Sequence, residues 1–282
     1  MKLENLLPAD GPSITEVNKY INKYKNNLIV VKCGGSCLLD KDLFDQLIED
    51  ISIINKLGLK VIVIHGGGKN IKRKLDEAKL ETKFINGLRV TDEKTIKIVE
   101  ESLIELNNEI ISKLNAKNCE GVKFSTKTNN IILVSPVSEK LKYVGNPKEI
   151  YIDQVLQQVE MKKIPIIVPM GKDKENKCYN INADTAAGAI AKKINARRLL
   201  LMTDVEGVLD KDKKLISEIN SEKANKMIND ESISGGMIPK INTCIDAVNN
   251  GVAGVVIVDG RKPHSILFEL FSDKGSGTLI RK

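Results

Sequence analysis

At 282 residues, the chain is long enough to bury a substantial core, either as one large α/β domain or as two lobes. A formal charge of +7 would suit a nucleic acid or an anionic metabolite, but the lysines are spread along the chain and aromatics are only 4%; with no RNA-binding signature, nucleic acid is set aside. No apolar run approaches a membrane span, and the polar Met1–Asp10 start lacks a signal-peptide profile, which argues against a membrane and predicts a cytoplasmic protein.

The five cysteines (Cys33, Cys37, Cys119, Cys178, Cys244) lack metal-ligand spacing and read as reduced thiols. With only two histidines, His65 and His264, a mechanism resting on a histidine base has few candidates.

Ser13-Ile14-Thr15-Glu16 fits a capping box, and Val17, Tyr20, Ile21 and Tyr24 follow at the spacing of one helix face. An α/β sheet does not need such a helix to begin, so it either packs on the domain or docks onto another subunit. Leu28–Val31 is a short apolar strand ending in Lys32-Cys33-Gly34-Gly35-Ser36, followed by a helix with Leu43, Phe44, Leu47, Ile48 and Ile51 on one face. Val61–Ile64 is the next buried strand, ending in His65-Gly66-Gly67-Gly68, and a helix begins near Asn70. Continuous apolar strands alternating with amphipathic helices predict a parallel, doubly wound sheet. Ligands of such sheets bind beyond the carboxyl ends of the strands, where both glycine clusters lie. Neither cluster is a P-loop or a dinucleotide fingerprint: Val63 and Asn70 break the first, Ile71 the second.

Asn86–Asp92 reads as a turn before a long helix carrying Ile96, Val99, Leu103, Leu106 and Ile110. Arg89 there is either a bidentate clamp for a carboxylate or a solvated surface arginine. Between 115 and 150 the pattern weakens; Val122–Ser125 and Ile131–Val134 look like strands, as in a hairpin, and Asn146-Pro147 marks a turn. Ile164–Pro169 is a strand, followed by a polar loop at 171–177. Asn180-Ile181-Asn182-Ala183-Asp184 then puts two amides and a carboxylate at every second residue. It runs into a small-residue helix pattern, Ala186 to Ala191, which Asp184-Thr185 is placed to cap. The segment is either a plain capped junction or a device that holds cations and a polar ligand together. Leu199–Met202 is a buried strand ending in Thr203-Asp204-Val205-Glu206-Gly207-Val208. A loop leads from there to Ser234-Gly235-Gly236-Met237-Ile238-Pro239-Lys240 and a helix to about Asn250. Gly254–Val258 is a further strand, with a helix through Phe271 and a short strand after Gly275–Thr278.

Beyond the strand ends stand Lys32 with Gly34-Gly35, Gly66–Gly68, Arg89, Asn180, Asn182, Asp184, and Lys240 beside Gly235-Gly236. Glycine runs let backbone N–H groups approach an anion, and the helices that follow add their positive ends. Two lysines with an acid between them suit phosphoryl transfer, which depends mostly on positioning and charge neutralisation. A carboxylate acceptor is already ionised at neutral pH and needs no general base.

Lys32-Cys33-Gly34-Gly35, His65–Gly68, Gly87-Leu88-Arg89-Val90-Thr91, Asn180–Asp184, Thr203–Val208 and Gly235–Lys240 occur in the order seen in the amino acid kinase family, which the chain resembles over most of 28–110 and 164–282. Its pattern is most similar to that of members phosphorylating the side-chain carboxylate of N-acetyl-L-glutamate with ATP and Mg²⁺ in arginine synthesis. The resemblance implies an open αβα sandwich with a central, mostly parallel sheet. It divides the chain into an N-terminal helical extension (1–27) for oligomerisation and a kinase domain (28–282). Within that domain, about 28–178 forms the acceptor lobe and about 179–282 the ATP lobe. It places Lys32 and Lys240 on the transferring phosphoryl group, with Asp184 holding both lysines. Gly34, Gly35 and Gly66 fall to the phosphates, with Gly67 and Gly68 towards the acceptor. Arg89, Asn180 and Asn182 would grip the acceptor, and Thr203, Asp204, Val208 and Gly236 would shape the nucleotide site.

Arginine-inhibited members carry a helix before the first strand that interlaces dimers into a hexamer, and Glu16–Ile21 is similar to it. On that likeness L-arginine is an effector, with Tyr20, His264, Glu269 and Gly275 as candidate contacts. The chain departs from the family at Lys69, where proline is usual, at Gly121–Lys127 and at Val144–Pro147. The latter two border the acceptor. They leave room for another acylated amino-acid acceptor, such as acetylaminoadipate, and a silent arginine-binding subunit is the rival of another class. Cys33 stands in place of an aromatic or leucine, as a reactive thiol or as buried packing.

Overall fold

The computed structural model describes residues 3–273 and 275–282. Helix α1 (Ile14–Tyr24) opens with the expected capping box: the Glu16 N–H donates to Ser13 Oγ, and the Glu16 carboxylate accepts from the Ser13 N–H at 3.0 Å. Strands β1 (Leu28–Cys33) and β2 (Lys60–His65) flank α2 (Lys41–Lys56) and pair in parallel, with Lys32 beside Ile64 and Cys33 beside His65. After α3 (Gly68–Glu77) comes a small ribbon, β3 (Phe84–Ile85) and β4 (Leu88–Arg89), and then the long α4 (Glu93–Ala116).

The middle of the chain is where the sequence reading needs correction. Strand β5 (Gly121–Phe124) does not form a hairpin with β6 (Ile132–Pro136). It is the edge of the main sheet, parallel to β8 (Ile164–Ile167), whereas β6 pairs with β7 (Gly145–Ile150) in a separate sheet. Asn146-Pro147 is not a turn but part of β7. Proline is tolerated there because β7 is an outer strand and the pairing shifts register between Leu133 and Val134. Helix α5 (Asp153–Glu160), unforeseen, leads into β8. The polar stretch 171–177 is the tip of a hairpin between β9 (Met170–Lys172) and β10 (Cys178–Asn180).

Beyond α6 (Ala183–Lys193) and β11 (Arg198–Thr203), the presumed loop to Ser234 holds β12 (Glu218–Asn220) and α7 (Ser221–Asn229), capped by Asn220, whose side chain accepts from the Lys223 N–H at 2.8 Å. Helix α8 (Met237–Asn249), β13 (Val255–Asp259), α9 (Ser265–Phe271) and β14 (Gly277–Arg281) complete the chain.

The main sheet runs β12-β14-β13-β11-β1-β2-β8-β5. From β13 to β5 every pairing is parallel; β14 is antiparallel to β13. Alternate residues of one strand enter different cores. Val30, Ile62, Ile64, Leu199 and Leu201 pack with α6 and α8, while Ile29, Val31, Val61, Val63 and Leu200 pack with α1, α2 and α9. Both faces are covered, which is why these strands read as unbroken apolar runs. This is the expected open αβα sandwich. Helix α1 packs on it through Val17 and Tyr24, the latter edge-on to Phe271 with centroids 6.5 Å apart.

Candidate active site

Parallel pairing brings the loops after β1, β2 and β11 side by side at one edge of the sheet. The first two are tied where the Gly66 N–H donates to Cys33 O at 2.6 Å. Glycine is required at two points of this edge. Gly35 has φ +75°, and a Cβ there would fall 2.5 Å from an Asp204 carboxylate oxygen. A Cβ on Gly67 would meet Leu103 Cδ2 at 2.6 Å.

The strand-to-helix junction departs from the expected capping. Asn182, not Asp184, is the N-cap of α6, its Oδ1 accepting from the N–H groups of Asp184 (2.9 Å) and Thr185 (3.2 Å). An amide with a free carbonyl oxygen serves as well as a carboxylate at this position, and the exchange frees the Asp184 side chain. Lys32 Nζ lies 2.9 Å from Asp184 Oδ1, and Lys240 Nζ from the first turn of α8 donates to Oδ2. All three side chains are at most 14% exposed. Burial pushes the Asp184 carboxyl up, but the two ammonium groups more than reverse it, down to about 2. Burial likewise opposes the charge on Lys32, yet the Asp184 carboxylate outweighs it and holds the ammonium above its ordinary range. The trio carries one net positive charge, poised for an anion.

Lys32 and the glycine turns form one wall of a cleft of about 230 Å³, and Asn180, Ile181 and Asn182 form another. The second sheet delivers Asn180, whose N–H donates to Tyr143 O at 3.0 Å. Arg89 lines the same cleft and is 8% exposed, not a solvated arginine. Its Nη2 donates to Gly68 O at 3.1 Å and its guanidinium lies 4.8 Å from the Phe84 ring centroid. Nη1 is buried without a hydrogen-bond partner, and among the described residues no carboxylate pairs with Arg89. Burial lowers its pKa, a desolvation cost that an incoming anion would offset.

Thr203, Asp204, Val208 and Gly236 do not line this cleft; Thr203 ends β11, Asp204 and Val208 lie in the loop after it, and Gly236 immediately precedes α8. Asp204 accepts from the Ser36 N–H at 2.8 Å, and Val208 is buried with its N–H on Thr278 Oγ1 at 2.9 Å. Tyr20, Glu269 and Gly275 line another cavity of about 470 Å³ together with Lys23 and Arg198. Burial pushes the Glu269 carboxyl up. His264 is not with them: its buried ring sits between Asp50 (2.5 Å at Nδ1) and Asp10 (3.2 Å at Nε2). Cys33 is fully buried, and burial raises its thiol pKa; it is packing rather than a reactive group.

Sequence reasoning missed the support beneath the glycine run. Asn107 of α4 donates to His65 Nε2 at 3.1 Å and to Ile166 O at 3.1 Å. The ring must therefore carry its proton on Nδ1, which donates to Gly66 O at 2.9 Å and fixes the Gly66–Gly67 peptide plane. No local signal marks Asn107, a polar residue on the inner face of a helix. Burial drives His65 down to about 4, against 6.5 for a free histidine. The unfolded chain thus binds a proton that the fold refuses, so stability is full above pH 6.5 and declines as pH falls towards about 4. At pH 5 this amounts to about 2 kcal/mol. Urea unfolding at pH 7 and pH 5 should show a drop of that size in the wild type beyond any in His65→Asn.

The sequence model of the amino acid kinase family matches residues 27–259. The acetylglutamate kinase of Pelagibacter ubique is 54% identical over 281 residues, covering 100% of this chain and 98% of the relative. That of Clostridioides difficile is 42% identical, with 96% of each covered. Among solved structures, the N-acetylglutamate synthase of Neisseria gonorrhoeae superposes with a TM-score of 0.87 at 23% identity. That match spans 95% of this chain and 62% of the other, and it speaks to the fold alone. On the strength of these matches, the chain belongs to the amino acid kinase family and is a kinase grouped with the acetylglutamate kinases.

Proposed function

We propose that the chain transfers the γ-phosphoryl group of ATP to the γ-carboxylate of N-acetyl-L-glutamate, giving N-acetyl-L-glutamyl 5-phosphate in arginine biosynthesis. The observation that carries this reading is Arg89, which lines the same cleft as Lys32 of the charged trio and has a buried Nη1 without a hydrogen-bond partner. A dicarboxylate fits such a cleft end to end. Arg89 takes the α-carboxylate, Asn180 and Asn182 meet the amide and neighbouring polar groups, and the γ-carboxylate lies towards Lys32 and the Gly66–Gly68 turn. That carboxylate attacks phosphorus as it stands, since it is ionised at neutral pH. Lys32 and Lys240 stabilise the charge spread over the moving phosphoryl oxygens, while Asp184 keeps both ammonium groups aimed and does not exchange a proton.

The nucleotide's phosphates would rest on Gly34, Gly35 and Gly66, with Thr203, Asp204, Val208 and Gly236 around the remainder. The glycine turns and the net positive trio suit that polyanion. Mg²⁺ would bind with the phosphates and neutralise part of their charge. In this reading residues of about 28–178 serve the acceptor and those of about 179–282 the nucleotide. The pocket of Tyr20, Lys23, Arg198 and Glu269, with both signs of charge, suits a zwitterion bearing a second cation, and L-arginine as effector is its proposed occupant. Helix 14–24 would then couple that pocket to a dimeric or hexameric assembly. His264 would act on it indirectly, by anchoring the start of α9 to Asp50.

ADP release with Mg·ATP is the test, comparing N-acetyl-L-glutamate, N-acetyl-L-aspartate, N-acetyl-L-aminoadipate and glutamate, each with and without L-arginine. Turnover is expected with N-acetyl-L-glutamate alone, and lowered by arginine. Faster turnover of another acceptor would refute the substrate assignment; indifference to arginine would refute the effector assignment.

A further inference from the structure

Lys69 replaces the usual proline, and its side chain has a definite place. From the first turn of α3 it crosses to the loop after β1, where Nζ donates to Ser36 Oγ at 3.1 Å. The Asp204 carboxylate, in the loop after β11, faces it at 3.7 Å and accepts the Ser36 N–H at 2.8 Å. Lys69 therefore joins three strand-end loops at the rim of the glycine turns. Of the neighbouring cations, Lys72 pairs with Asp76 and Lys74 with Glu105, each at 2.5 Å.

Three properties of this arrangement point to an anion. An ammonium has three N–H donors, and Ser36 Oγ takes one of them. Asp204 at 3.7 Å is beyond hydrogen-bond length, and the two side chains are 54% and 39% exposed, so their pairing contributes little and exchanges readily. Among the described residues Lys69 is also the one cation within 4 Å of the Asp204 carboxylate, which stands against the backbone turn that a phosphate must approach.

We propose that Lys69 is a further nucleotide-binding residue of this chain, a third lysine that holds a phosphate of the bound polyphosphate over the Gly34–Ser36 turn. This rests on the kinase reading above. Without nucleotide the ammonium faces Asp204; a phosphate, with more charge and more acceptor oxygens, takes its open donors while Ser36 keeps it in place. Stabilisation of the moving group remains with Lys32 and Lys240, so loss of Lys69 falls on nucleotide affinity rather than on kcat.

Calorimetric titration of the full-length protein with Mg·ATP tests this in the wild type, Lys69→Ala, Lys69→Arg, Lys72→Ala and Lys69→Ala/Asp204→Asn. Lys69→Ala should weaken Mg·ATP by about tenfold, the size of one charge-assisted hydrogen bond. Lys69→Arg should keep most of the affinity, Lys72→Ala all of it, and the double variant should remain weak. KM for N-acetyl-L-glutamate should stay within about twofold of wild type, since a phosphate contact does not touch the acceptor. Unchanged Mg·ATP affinity in Lys69→Ala overturns the proposal. Recovery of affinity in the double variant does so too, because Lys69 would then act only by neutralising Asp204. A wild type that binds no Mg·ATP would overturn the kinase reading itself, and this proposal with it.

Discussion

Asp184→Ala should lower kcat by about a thousandfold, the scale seen when a preorganised electrostatic contact to a transition state is lost. The carboxylate touches neither substrate in the proposed reaction; its effect runs through Lys32 and Lys240, which both lie against it. Removing it leaves two buried ammonium groups facing each other, and like charges roughly 5 Å apart at an effective dielectric of ~20 repel by about 3 kcal/mol. The lysines respond by turning apart, by drawing in water, or by one of them losing its proton. Each response takes a positive charge away from the phosphoryl path. Asp184→Asn separates charge from shape, since the amide fills the same space but neutralises neither lysine. It should be nearly as slow as Asp184→Ala while retaining wild-type circular dichroism. Lys240→Ala should be similarly slow, and since it leaves a paired Lys32–Asp184 behind, its fold should be the least disturbed. Near-normal turnover in Asp184→Asn or Lys240→Ala would remove the trio from the chemistry. Because Asp184 titrates near 2, no inflection between pH 5 and 8 in the wild-type rate profile should belong to it.

The parts of this site that could be read in advance are those written locally. A parallel strand buried on both faces must be a continuous apolar run, so its end is marked by the first residue that is not apolar: Lys32, His65 and Thr203. Glycines just beyond such ends are legible because a turn that shelters an anion has no room for Cβ, as Gly35 and Gly67 show. The capping box at Ser13 was legible for the same reason, both partners lying within one turn of helix. Illegible parts depend on partners distant in sequence. Val122–Phe124 and Ile132–Val134 are adjacent apolar stretches, yet each pairs with a strand other than its neighbour, because β8 offers the main sheet a parallel edge. Local rules also favoured Asp184 as the cap, but the helix begins at Ala183, so Asn182 holds that place and Asp184 is left to face the two lysines. The Asn107–His65 contact spans 42 residues and His264–Asp50 spans 214, and no spacing rule reaches either.

Arg89→Met should raise KM for N-acetyl-L-glutamate by about a hundredfold, the worth of a bidentate, charge-assisted contact to a carboxylate, with a much smaller change in kcat. The contrast with Asp184 follows from position. Arg89 grips a part of the acceptor that does not change charge during the reaction, so its contribution is the same in the ground and transition states. Lysine is a poor substitute, because a point charge on a flexible stem cannot reproduce the planar fork; Arg89→Lys should recover only part of the affinity. Stability should move the other way. In the free protein the buried guanidinium has an unpaired Nη1 and no carboxylate partner among the described residues, so replacing it by an apolar side chain of similar length removes a desolvation cost. Its hydrogen bond to Gly68 O is lost in exchange, leaving the melting temperature of Arg89→Met equal to or above that of wild type. N-acetyl-L-glutamate alone should then raise the melting temperature of the wild type and not of the variant, since only a protein that binds the ligand is stabilised by it. A variant that melts well below wild type, or that is still stabilised by the acceptor, would show Arg89 to be a structural residue whose charge merely happens to face the cleft.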